Sequence, residues 1–437
     1  MKEHIQNVFY GVLDYVAYPA MMLLVAPLLI RKLGVDGYGL WAVMAAVVSA
    51  SSIVASGFGD AAIRQISQYR TKNPAAILIV VKTLFLVSCV LAMLFVLPIV
   101  AASAWIADRI AHENALLAVD CRHSLLLVAV LIVQRSIESV FISTQRAYER
   151  YGDAVRISVL ARIGSLLAGV FTASLFPHVW CVLLITALCN IAATVLQHHR
   201  VLKLLRVEHL RPLWNANAMV LLFQFGKYSW LLALSGVVFG QMDRLLLGIW
   251  LGAPTIAAYA ICAQIAQPIY GVSAAGLHVL FPYLSHRAET APSGNLSRSI
   301  AIAALGNVAF AIITALVLQV VGLHFLSLLG RSGLNGDSQH LLAPLVWSSS
   351  LLAMSVVPTY ALYALDRVRL VTAFNVLGAF VCLGCMPLLG LRFGVIGIAL
   401  ARLAYGLVCV LLYLPLWRVL KDKRPLTSLP SALCEEV

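Results

Sequence analysis

Charge is what this chain has least of. Of 437 residues only 11% are Asp, Glu, Lys or Arg, while 62% are hydrophobic, a balance that a water-dissolved globule does not need and that fits a protein dissolved in lipid. Polar blocks long enough for a separate soluble domain are missing as well. So are a Walker-type phosphate loop, a cluster of metal-ligating residues at convincing spacing and a nucleophile motif, which removes the usual signatures of an ATPase, a metalloenzyme and a covalent hydrolase. No cofactor is expected. The nine cysteines are scattered singly apart from Cys382 and Cys385. That pair sits inside an apolar run with no second pair near it, where two small helix-packing residues are the favoured reading. The N-terminus has little positive charge and no small-residue cleavage site, so the first apolar run is expected to stay as a span.

What the chain does have is a succession of apolar runs, at about 8–30, 38–59, 76–102, 123–144, 156–176, 179–199, 225–250, 254–283, 299–329, 341–364, 368–391 and 394–417. Each is long enough to cross a hydrocarbon core of roughly 30 Å as a helix. The sequence therefore predicts an all-α polytopic membrane protein of about twelve transmembrane helices. With the N-terminus inside, nineteen basic residues fall in the inner loops and termini, among them Arg64, Arg146, Arg150, Arg200, Lys203, Arg367, Arg369 and Arg418, against six outside: Arg31, Lys32, Arg109, Arg122, Arg331 and Arg392. That bias predicts cytoplasmic termini at both ends, and it accounts for the excess of 13 positive charges without a nucleic-acid partner. The longest outer stretch, 103–122, suits an amphipathic surface helix.

The longest inner connection is basic and falls mid-chain. It divides the sequence into a first lobe at 1–205, a linker at 206–224 and a second lobe at 225–437 with a short basic tail. The lobes look like repeats. Leu33, Gly34 and Tyr38 are echoed by Leu251, Gly252 and Tyr259, and the segment from Arg146 to Arg156 resembles that from Ala361 to Arg369. Six spans per half would relate the copies by an axis along the membrane normal.

Ionisable residues inside spans cost several kcal/mol unless they have work to do. Here these are Asp14, Arg135, Glu138, Arg162, Asp243, Arg244 and Arg402, with Lys82 and Lys227 near helix ends. Six bases face three acids, as suits a cavity awaiting an anion better than a bundle satisfying itself. Asp14 shares a helical face with Tyr18 and is either an ion-coupling site or an interhelical partner. Arg135 and Glu138, three apart, are expected to form a structural ion pair. Arg162 either snorkels or points inward. Asp243 and Arg244 are adjacent and so point about 100° apart; one is expected to hold the fold while Arg244 faces substrate. Gln264, Gln267 and His278 share a face of the eighth span, where amides suit sugar hydroxyls or interhelical hydrogen bonds alike. Arg402 shows no partner.

The stretch Leu33-Gly-Val-Asp-Gly-Tyr-Gly-Leu-Trp41, the segment from Gly57 to Arg64 and the Met242-Asp243-Arg244 run ending at Gly248, followed by Tyr259, resemble bacterial oligosaccharide-lipid flippases of the Wzx type. These belong to the multidrug, oligosaccharidyl-lipid and polysaccharide exporter superfamily. The resemblance implies two six-helix lobes in a MATE-like V, and an undecaprenyl-diphosphate-linked glycan moved across the inner membrane for O-antigen or exopolysaccharide assembly, with polymerase or assembly proteins as partners. It would map a cationic cavity onto Lys227, Arg244, Arg64, Arg162 and Arg402. Two other readings remain: a cation-coupled antiporter of the same fold, disfavoured by the surplus of bases, and a membrane-embedded polymerase or ligase, disfavoured by the short outer loops.

Overall fold

The computed structural model describes residues 2–51, 53–69, 74–111, 114–251, 253–277, 284, 293–330, 338–365 and 367–421, the side chains of residues 2–20, 53–57, 74, 151, 225, 253–254, 293–296, 328–330 and 338 lying outside that description. Its helices are α1 (Lys2–Ala50), α2 (Ile53–Tyr69), α3 (Pro74–Ala101), α4 (Ser103–Ala111), α5 (Ala115–Ala147), α6 (Tyr151–Leu175), α7 (Val179–Leu205), α8 (Ala216–Val237), α9 (Asp243–Leu251), α10 (Ala253–Leu277), α11 (Ser293–Gly330), α12 (Ser338–Met354), α13 (Val356–Ala364), α14 (Val368–Val410) and α15 (Tyr413–Lys421). A wide π turn, Val238–Met242, joins α8 to α9.

Nine helical stretches among the described residues are long and apolar enough to cross a membrane. The last of them, Val368–Lys421, has 54 residues and would be about 80 Å long as one rod, far more than a bilayer core. Gly394, at φ 59°, folds it back, and Gly34, at φ 75°, does the same inside α1. A side chain at either position would be strained, because its Cβ crowds the backbone in this region. Divided at these glycines, the helices follow the order of the twelve expected runs. Apolar side chains face outward all along them, Leu391 at 88% exposure and Leu116 at 85%, as suits walls whose solvent is lipid. The chain is a multi-pass membrane protein.

Two boundaries differ from expectation. The second run, expected at 38–59, breaks after Ala50 and continues as α2 to Tyr69. The polar end of α2 is held by packing, with Ile66 fully buried and the Ser67 hydroxyl donating to the Ala147 carbonyl at 3.3 Å. The linker is shorter than 206–224, because α8 already starts at Ala216. Asn215 caps it, accepting the Ala218 N–H at 3.0 Å, and Leu222 buries fully. The expected surface helix is α4, where the Arg109 guanidinium lies 5.7 Å from the exposed Trp105 ring.

The repeat shows in the turns. After α5 the Tyr148 and Arg150 amides donate to Thr144 and Gln145; after α13 those of Leu365 and Arg367 donate to Ala361 and Leu362, with the same spacings. At the Gly34 end a single apolar core runs through both lobes, from Met22–Met44 of α1 to Leu247–Ile269 of α9 and α10. Towards the end that carries the two repeated turns there are two separate cores. One joins α2, α3, α5 and the start of α8 around Ile66 and Leu84, the other joins Val357, Leu362 and Val371 to Leu412 and Leu416. The lobes thus share one interior at the Gly34 end, and at the other end α8 of the second lobe packs into the first lobe's core.

Candidate functional site

The second lobe encloses a cavity of about 430 Å³. The π turn forms one wall: its extra residue widens the helix, and Gly236 and Gly240 present open space where a Cβ would stand. Just beyond it the chain enters the cavity's charged region. Asp243 is fully buried. Its Oδ2 accepts Arg402 Nη1 at 2.6 Å and the Tyr259 hydroxyl at 2.7 Å, and its Oδ1 accepts the Arg244 backbone N–H at 2.7 Å. Arg402, for which the sequence shows no partner, is therefore neutralised across 159 residues of chain, with the Phe239 ring 4.3 Å from its guanidinium carbon. It lines the cavity as half of an ion pair and not as a free cation.

Arg244 points elsewhere. It is 8% exposed, lines the same cavity, and its Nε has no hydrogen-bond partner. The two adjacent residues divide as a 100° step allows: Asp243 holds α9, α10 and α14 together, and Arg244 brings to the hollow a guanidinium with no acid paired to it among the described residues. Gln267, Tyr270, Asn375 and Tyr405 line the rest of it, the Tyr405 hydroxyl donating to Asn375 Oδ1 at 2.9 Å. Gln264, expected on the same face as Gln267, is buried in packing and does not reach the cavity.

The remaining candidates lie apart. Lys227 is exposed on α8, its Nζ 5.2 Å from the Tyr228 ring, with Arg369 over the same ring at 5.9 Å. Arg64 is exposed on α2. Arg162 lines a smaller hollow of about 70 Å³ in the first lobe, together with Arg135, Ser49 and Asn190. The expected pair of Arg135 with Glu138 is corrected: Glu138 accepts Gln134 Nε2 at 2.9 Å and the Ser158 hydroxyl at 3.1 Å. Its ladder continues through Gln197, which donates to Ser158 at 3.3 Å and bonds Gln145. The face of α5 that carries Gln134 and Glu138 meets α6 and α7, while Arg135 turns to the hollow. The side chains of Asp14 and Tyr18, and His278, lie outside the described residues. Among the described residues no group of three or more His, Cys, Asp or Glu is placed to hold a metal.

Over residues 28–321 the chain matches the family of polysaccharide biosynthesis proteins. It belongs to that family. No curated protein matches it by sequence. Among solved structures it is similar to an inward-facing multidrug resistance MATE family transporter of the MOP superfamily, at 14% identity and TM-score 0.72, over 94% of this chain and 100% of that one. It is also similar to the lipid II flippase MurJ in an inward closed conformation, at 12% identity and TM-score 0.72, over 95% and 86%, and to the MATE transporter VcmN of Vibrio cholerae, at 13% identity and TM-score 0.61, over 98% of each. The fold is the one these proteins share.

In this member of the family three residues of the site escaped sequence reasoning: Tyr259 as the second donor to Asp243 behind the cavity wall, and Asn375 and Tyr405 as lining. The signal was there for two of them. Asn375 is a polar residue in an apolar run, and Tyr405 stands three residues after Arg402, on its helical face.

Proposed function

We propose that the protein is a flippase that carries an undecaprenyl-diphosphate-linked oligosaccharide, the repeat unit of a surface polysaccharide, from the inner to the outer leaflet of the bacterial inner membrane. The observation that carries this reading is Arg244, a buried cation without a counter-charge among the described residues, in a cavity furnished with amides, hydroxyls and aromatic rings. Leaving a charge buried and unpaired costs several kcal/mol, and an anionic ligand removes that cost. The family match supports a role in polysaccharide assembly, and the lipid II flippase with the same fold supports a substrate that is part lipid. The bias of basic residues assigns the end with the two repeated turns to the cytoplasm, the side where a lipid-linked glycan is made, and the lipid tail stays in the bilayer. A potential negative inside favours outward movement of an anion by about 2.3 kcal/mol per charge per 100 mV. An antiporter of cations would want a free acid in this cavity, whereas Asp243 is bound to Arg402.

Deleting the gene in its host tests the reading. A lipid-linked glycan is expected to accumulate on the cytoplasmic face; unchanged surface polysaccharide with no accumulation would overturn it. In a complemented strain, Arg244→Ala is expected to cut export about tenfold or more at normal membrane abundance, since a charged hydrogen-bonding group contributes roughly 1.5–3 kcal/mol.

A further inference from the structure

We infer that the second-lobe cavity holds a sugar bearing a single carboxylate, and that this carboxylate, not the diphosphate of the lipid anchor, is the group Arg244 binds. The inference rests on the export reading and deepens it.

Charge comes first. The charged side chains lining the cavity, among the described residues, are Arg244 and Arg402, and Arg402 is matched one to one by Asp243. One positive charge is left over. A diphosphate diester brings two negative charges, so one of them would be buried without compensation, which is strongly unfavourable. A carboxylate balances the account, and a guanidinium's planar fork fits it with two parallel hydrogen bonds.

Hydrogen-bond polarity points the same way. Among the described residues Arg244 Nε and Arg402 Nε are buried donors without an acceptor, and Gln241 Oε1, three residues before Arg244 on the same cavity wall, is a buried acceptor without a donor. Their ligand must accept at one end and donate at the other. A diphosphate diester only accepts. A hydroxy acid does both, and a uronic sugar is a hydroxy acid whose carboxylate and ring hydroxyls stand a few bonds apart. The tyrosine rings at 270 and 405 offer flat apolar faces to its C–H surface, and about 430 Å³ is within the usual size range of small-molecule sites. The diphosphate, tied to the lipid, has a wetter place: Lys227 and Arg369 are both exposed beside the Tyr228 ring.

Calorimetric titration of the full-length protein in detergent, with methyl glucuronoside, methyl glucoside and inorganic pyrophosphate as probes, decides the matter. The glucuronoside is expected to bind at least tenfold more tightly than the glucoside, and Arg244→Gln to erase that preference while leaving the unfolding temperature within a few degrees of wild type. Arg244→Lys, which keeps the charge and loses the fork, is expected to retain part of it. Equal binding of the two sugars by the wild type would overturn the inference, as would pyrophosphate binding that depends on Arg244 while the glucuronoside does not bind. In either case the accumulation of lipid-linked glycan in the deletion strain still tests export independently, so the two readings fail separately.

Discussion

Asp243 and Arg244 are neighbours in the chain with opposite duties. That they must diverge was legible in the sequence, since adjacent helical residues cannot share a partner. The partner that decides which one holds the fold was not, because Arg402 is 159 residues away and no periodicity encodes a tertiary pairing. Glu138 shows the same limit from the other side: spacing along the helix nominates Arg135, and the donors it meets are Gln134, four residues earlier on the same helix, and Ser158 of α6. If the buried pair is structural, Arg402→Met and Asp243→Asn should each destabilise by about 3–5 kcal/mol, since each leaves a charge uncompensated, and the double variant should be closer to wild type than either. Tyr259→Phe should cost about 1–3 kcal/mol through the lost donor. Thermal unfolding of the purified variants measures this; singles as stable as wild type would contradict the structural role.

Helices here are legible by their apolar length and illegible where they outrun it. The twelve runs, the surface helix α4 and the two glycine turns follow from hydropathy and backbone freedom. The extension of α2 to Tyr69 does not, since a polar helix end is kept only by what it packs against. Close crossings are hidden in the same way. A Cβ on Gly248 would stand 3.1 Å from Val43 Cγ2, so α9 approaches α1 of the other lobe because residue 248 has no side chain. Gly248→Val is expected to destabilise by about 1–3 kcal/mol through overpacking. Val43→Ala in the same chain should return a good part of it, with unfolding temperature as the measure; a loss that Val43→Ala leaves untouched would place the clash elsewhere.

At the scale of the whole molecule, the lobes share one core at the Gly34 end, while the other end has two, one of which joins α8 of the second lobe to the first. Hydropathy could not have shown this, because shared and separate cores are equally apolar. On the export reading proposed above, alternating access requires the shared end to part. Val43→Cys with Gly248→Cys, in a chain whose own cysteines are replaced, should therefore arrest export on oxidation and recover it with a reductant. Undiminished export from the fully cross-linked protein would mean that this end never opens.

The π turn gives the seventh span a residue in reserve. A wide turn absorbs one extra residue and leaves the helix beyond it in the register of an uninterrupted α-helix one residue shorter. Deleting Gly240 should therefore close the turn and leave Asp243 and Arg244 aimed as they are, with the protein still folded and at normal membrane abundance. Deleting Leu246 has no such slack to draw on: Leu247 and Gly248 would swing by about 100°, away from α1, and export should fail. The length of this helix is free to vary by one residue on one side of its charged pair and fixed on the other.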